Sequence, residues 1–145
     1  MTGLVAWVLV ACTLLEPGQR PAVFAGYLGR VLEQEAPLYL DDDDRHKTAA
    51  VMVALAWFES RFRLDAVGDH GRSVCAYQIH HGSRALLDDP AECIRAGLRH
   101  VRHSMMTCPE SPLSVYARGR CDSDEGRKLS GHRMALAKRL LAEVK

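Results

Sequence analysis

The sequence predicts a mainly α (α+β) fold, a set of helices carrying one small β-hairpin, and three observations carry that expectation. Residues 49 to 58 form an unbroken apolar run, Ala49 to Phe58, too long for an ordinary strand and suited to a helix buried on all sides. Other segments repeat their apolar residues every three or four positions. Between them, residues 65 to 80 are rich in turn formers followed by a short β-like run. With 145 residues, 48% of them hydrophobic and 26% charged, the chain suits one domain with a real core. Its 19 basic and 18 acidic residues leave a net charge of +1, so no global field points to nucleic acid or an anionic surface. Function must come from a local site.

Taken in order, residues 1–20 form an apolar N-terminal segment and residues 21–145 the main domain. Gly3 to Leu15 is apolar, ends at Pro17-Gly18, and is shorter than the roughly 20 residues a spanning helix needs. Leu9-Val10-Ala11-Cys12 resembles a lipoprotein cleavage box, yet no Lys or Arg precedes it as a signal peptide requires. A packed helix and a signal-like segment both fit, and a membrane partner is expected only if this segment anchors the chain or Cys12 is lipidated. Phe24, Tyr27, Leu28, Val31 and Leu32 then mark one face of a helix that stops by Pro37. Asp41 to Asp44 read as a solvated loop that caps the next helix and complements its positive end; alternating ligands and the glycine of a calcium loop are absent.

That next helix, Lys47 to Phe62, is expected to be central. Its end places Glu59 beside aromatic rings, where burial disfavours the charged carboxylate, the condition for a general acid near neutral pH. A bland reading is also open, in which Glu59 marks an exposed helix end or pairs with Arg61 or Arg63. Gly68, Gly71 and Ser73 announce turns, with Val74, Ala76, Tyr77 and Ile79 as the hairpin strand. A helix starting at Asp88-Asp89-Pro90 carries Ile94, Leu98, Val101 and Met105. A short segment at Leu113 to Tyr116 follows. The last helix, Asp124 to Val144, shows Met134, Ala137, Leu140, Leu141 and Val144 on its apolar side.

Of the five cysteines, Cys75, Cys93, Cys108 and Cys121 lie in the C-terminal half and Cys12 stands alone. No Cys-x-x-Cys pair occurs, so neither a zinc site nor another metal is expected despite seven histidines. Two bridges, Cys108–Cys121 across the Leu113 to Tyr116 segment and Cys75–Cys93, are the expected pairing. Four cysteines allow other connectivities, and four buried thiols are the alternative. Bridges imply an extracytoplasmic location, in the periplasm, at the cell surface or in a virion.

The order of the motifs resembles a known family. Ala54-Leu55-Ala56-Trp57-Phe58-Glu59-Ser60 is similar to the Glu-Ser helix end of the soluble lytic transglycosylases and goose-type lysozymes. Gly68-Asp69-His70-Gly71 with Cys75-Ala76-Tyr77-Gln78-Ile79 resembles their Gly-Leu-Met-Gln-Ile/Val hairpin. Asp89-Pro90-Ala91-Glu92-Cys93-Ile94-Arg95-Ala96-Gly97 is similar to their Asp-Pro-x-x-Asn-Ile-x-x-Gly helix start, and Val115-Tyr116-Ala117-Arg118-Gly119 to their Ala-Tyr-Asn-Ala-Gly. Together these cover residues 47–120 and imply a lysozyme-like helical domain of the kind also found in phage lytic proteins. Three departures stand out: Cys75-Ala76-Tyr77 replaces Gly-Leu-Met, Cys93 replaces Asn, and Ala117 removes the amide of Ala-Tyr-Asn.

The resemblance implies a monomer acting without a cofactor on peptidoglycan glycan strands, at the bond from N-acetylmuramic acid to N-acetylglucosamine. Glu59 is the general acid for the leaving oxygen. In a lytic transglycosylase the ionised Glu59 then takes the C6 hydroxyl proton and a 1,6-anhydro end results. In a hydrolase Asp69 is the second catalytic carboxylate, activating water. Ser60, Tyr77, Gln78 and Tyr116 match positions expected to bind substrate along the cleft. A noncatalytic peptidoglycan-binding or virion structural protein is the alternative that Ala117 keeps open.

Overall fold

A computed structural model describes residues 3–41 and 45–145, and its fold is mainly helical with a small antiparallel sheet. The helices are α1 (Leu4–Leu15), α2 (Gln19–Gln34), α3 (His46–Ser60), α4 (Pro90–Thr107), α5 (Ser114–Arg118) and α6 (Asp124–Glu143). The strands β1 (Val67–Gly68), β2 (Ser73–Val74) and β3 (Ile79–His80) lie between α3 and α4.

At the centre lies α3, whose residues from Ala49 to Ala56 are buried all round. An apolar run with no polar face has nowhere to sit but the middle of a bundle. Two of the expected features of this helix differ. Asp42, Asp43 and Asp44 fall outside the described residues, and the N-cap position is taken by Arg45, whose guanidinium donates instead to the carbonyls of Leu32 and Glu35 at the end of α2. The helix also ends at Ser60 rather than Phe62. Arg61 and Phe62 adopt left-handed backbone with φ of 55° and 64°, which turns Phe62 back into the core to stack on Phe24 at 5.1 Å. Burying that ring offsets a left-handed cost of about 1–2 kcal/mol per residue.

Helix α1 buries Leu4, Trp7, Val8, Ala11 and Cys12 against α2 and α3, and its Trp7 indole donates to the carbonyl of Val144. It therefore shares one core with α2, α3 and the residue that follows α6. Among the described residues no helix is long and apolar enough to cross a membrane. Helix α2 buries Phe24, Leu28, Val31 and Leu32 as its periodicity requires, while Tyr27 sits half-buried under Arg30.

The predicted hairpin is a three-stranded sheet in the order β1-β2-β3, pairing Val67 with Val74 and Val74 with Ile79. Its strand does not run unbroken from Val74 to Ile79. Cys75 and Gln78 take positive φ, and the Gln78 amide closes a turn on the Cys75 carbonyl. The turn sends Tyr77 inward and leaves Gln78 half-buried toward the cleft. A disulfide between Cys75 and Cys93 ties the turn to α4. There the Asp89 side chain caps the helix through the Glu92 amide, with Pro90 in the first turn where no amide donor is missed.

The last helix is capped by Ser123 through the Gly126 amide. Its buried face runs through Ser130, Arg133, Leu136, Ala137 and Leu140, so Leu141, expected inside, is exposed. This rotation puts an arginine into the interior and lets the Ser130 hydroxyl accept the Leu113 amide, which fixes the start of α5.

Candidate active site

One cleft of about 860 Å³ opens between the sheet and helices α4, α5 and α6. Glu59 from the end of α3 lies in it, facing Asp69, Ser73, Gln78 and His80 from the sheet side. His100 and His103 come from α4, residues 115–118 from α5 with Gly119 just after it, and Leu129 and Arg133 from α6. Such a volume falls in the upper part of the range for ligand clefts.

Glu59 is 19% exposed at its side chain, and its Oε1 accepts a 3.0 Å hydrogen bond from Nη2 of Arg133. Burial holds its carboxyl above the ordinary value, the Arg133 charge and hydrogen bond pull it partly back, and the negative charge of Asp69 adds a smaller upward push. The bland expectation of a partner in Arg61 or Arg63 gives way here. Arg61 instead lies over the Trp57 ring at 3.5 Å, and the partner comes from α6.

Asp69 is the opposite case. It is exposed, sits at φ 53°, and its Oδ2 accepts the Ser73 hydroxyl at 2.6 Å, with His80 Nδ1 3.9 Å away. The Ser73 hydrogen bond holds its carboxyl below the ordinary value, helped by His80. One carboxyl of the cleft is thus pushed toward the neutral acid and the other toward the anion, the division of labour that paired acid and base chemistry uses.

The expected binding residues separate into two groups. Gln78 lines the cleft, its amide nitrogen donating to the Cys75 carbonyl at 2.9 Å. Gly68 leaves room for it, since an added Cβ would lie 2.2 Å from the Gln78 Oε1 and would push that side chain aside. Tyr116 also lines the cleft, its hydroxyl donating to the Tyr77 carbonyl. Burial keeps its phenol well above the usual value and so neutral. Ser60 and Tyr77 are corrected. Ser60 is buried, donates to the Ala56 carbonyl and accepts the Arg63 amide, so its hydroxyl finishes the helix. Tyr77 is fully buried, its hydroxyl on the Met52 carbonyl and its ring packed against Gly97, so it is a core residue beneath the site.

The Cys108–Cys121 bridge is corrected too, since both cysteines are free. Cys108 is buried after α4, and the Cys121 thiol donates to the Thr107 carbonyl at 3.4 Å. Contact with the Cys108 thiol, then burial, pushes the Cys121 thiol up to about 11. The described residues hold no group of three or more His, Cys, Asp or Glu able to bind a metal ion.

Sequence reasoning missed Arg133, Arg118, His100 and His103. Arg133 had a readable signal: it stands at helical spacing from Ala137 and Leu140, a lone cation on the apolar face of α6. No family model, curated protein or solved structure matches the chain.

Proposed function

We propose that this protein cleaves the glycan strand of bacterial peptidoglycan at the β-1,4 bond between N-acetylmuramic acid and N-acetylglucosamine, with Glu59 as the acid in a lytic transglycosylase-type reaction. The observation that carries the reading is a carboxyl at the buried end of the central helix, open to a cleft of about 860 Å³ and held toward its protonated form by burial. A glycosidic bond breaks when its leaving oxygen receives a proton as positive charge develops on the ring. Glu59 supplies that proton, and the resulting carboxylate accepts the C6 hydroxyl proton as the anhydro ring closes.

Hydrolysis is the second reading, favoured by Asp69, an anion lining the same cleft and suited to activating water. Peptidoglycan as the partner rests on the ordered motifs and the cleft. An extracytoplasmic workplace rests on the Cys75–Cys93 bridge. Incubation of the purified protein with peptidoglycan and mass analysis of the released muropeptides tests all of this. Anhydro ends support the lyase and reducing ends the hydrolase. Pelleting with the polymer and no release supports a binding protein instead, for which Ala117 in the cleft wall is the structural opening.

A further inference from the structure

We infer that Arg133 is the positioning residue of Glu59: its guanidinium, fixed from three sides, aims the carboxyl into the cleft and stabilises the carboxylate left once the proton is given up. This rests on the reading of Glu59 as the general acid. Nη2 of Arg133 donates to Glu59 Oε1 at 3.0 Å, Nη1 donates to the Leu129 carbonyl at 3.2 Å, and the guanidinium lies 5.0 Å from the centre of the Phe58 ring. A planar fork with two committed donors has little freedom left, and neither has the carboxyl it holds.

The pair is not a surface ornament. Its side chains are 10% and 19% exposed, against 33% and 39% for Arg95 and Glu35 on the outside of the fold. Nor does stability alone account for it, because two charges taken out of water lose hydration that a single ion pair does not fully repay. That desolvation is a standing cost, and well-packed apolar side chains at these two places would avoid it. An arginine that retains the cost while touching the acid of the cleft is explained by what it does for that acid. Its helix also holds the opposite wall, since Ser130 one turn earlier fixes the start of α5 and hence Tyr116.

Glu59 is faced by Arg133 from α6, Arg118 and the Tyr116 phenol from α5, and Asp69 from the turn after β1. Arg133 and Arg118 favour the carboxylate and Asp69 opposes it, with Arg133 the stronger cation. Removing Arg133 therefore moves Glu59 further toward the neutral acid, and because any ion pair would do the same, the kcat and pH profile of the variant separate a positioning role from a merely structural one.

The test is a carbon-13 titration of the Glu59 carboxyl in the full chain without substrate, assigned by loss of the signal in Glu59→Gln. Arg133→Met keeps the buried stem and removes the charge, and is expected to raise the Glu59 midpoint by about one pH unit. Arg133→Lys keeps stem and charge and gives a smaller shift of the same sign, so a fold lost in the Met variant does not end the test. On peptidoglycan, the alkaline limb of the rate profile moves up with the midpoint and kcat falls more than KM rises. A Glu59 midpoint unmoved in both folded variants overturns the proposal, and so does a moved midpoint with kcat and the alkaline limb unchanged on a glycan that the wild type cleaves. A shifted midpoint in a protein whose wild type cleaves no glycan upholds the hold of Arg133 on Glu59 and overturns the function proposed above.

Discussion

Glu59 carries two consequences that single substitutions read separately. Glu59→Gln keeps the shape and a hydrogen-bond acceptor for Arg133 but has no proton to give, so release of muropeptides should fall at least about a hundredfold. Measured by product mass at equal folded protein, activity near wild type would remove Glu59 from the chemistry. The second consequence is in stability. A carboxyl whose value is higher in the folded chain binds its proton more tightly there. Its contribution is complete below the unfolded value of about 4.3 and is lost as pH rises through the folded value. Melting temperature should therefore fall over that window in the wild type, and Glu59→Gln should flatten the fall; an unchanged slope contradicts the raised value. Asp69 has the other sign, since its lowered carboxyl stabilises above the ordinary Asp value and loses this as pH falls. It is fully exposed, so the effect is slight. Its catalytic meaning is tested by Asp69→Asn, which should lose far less activity than Glu59→Gln if no water needs a base. Equal loss in both, with reducing ends in the wild-type products, replaces the lyase by the hydrolase.

Among the elements, the turn between β2 and β3 and helix α4 act as one unit. Tyr77 fills the space left by Gly97, where an added Cβ would lie 2.6 Å from the ring, and Cys75 is bonded to Cys93 one turn earlier. Gly97→Ala forces a buried ring to move and should destabilise by about 1–3 kcal/mol in urea unfolding; no measurable change would mean that the ring is not packed there. The bridge closes a separation of 18 residues, and replacing both cysteines by serine should cost about 3 kcal/mol. Thiol counting under denaturing, non-reducing conditions should find three free thiols, those of Cys12, Cys108 and Cys121. Five would contradict the Cys75–Cys93 bond, and one would restore the second bridge that the spacing suggests. The helices were legible because their signals are local: the apolar run of α3, the Asp89-Pro90 start of α4 and the period of α2 need no knowledge of the rest of the chain. The partner of Arg133 was not, because nothing within α6 points to an acid seventy-four positions away. The burial of Tyr77 was hidden likewise, since a run that reads as strand by composition is broken by positive φ at Cys75 and Gln78.

On the scale of the whole molecule, a single core runs from α1 through α3 to the C-terminal turn, and the cleft lies where the end of its central helix meets the sheet and α4 to α6. There the partly buried carboxyl of Glu59 opens into a cleft of about 860 Å³. Glu59, Asp69, Gln78 and Tyr116, which line the cleft, stand in short motifs that the sequence displays, whereas the cations that surround them come from helices whose sequence says nothing of the neighbour they meet. The most direct test is digestion of purified peptidoglycan by the wild type and by Glu59→Gln side by side, with the soluble products weighed over time. Muropeptides with 1,6-anhydro ends accumulating in the wild-type digest and absent from the variant are the predicted result. No soluble product from the wild type, or the same products at the same rate from both proteins, would contradict the account.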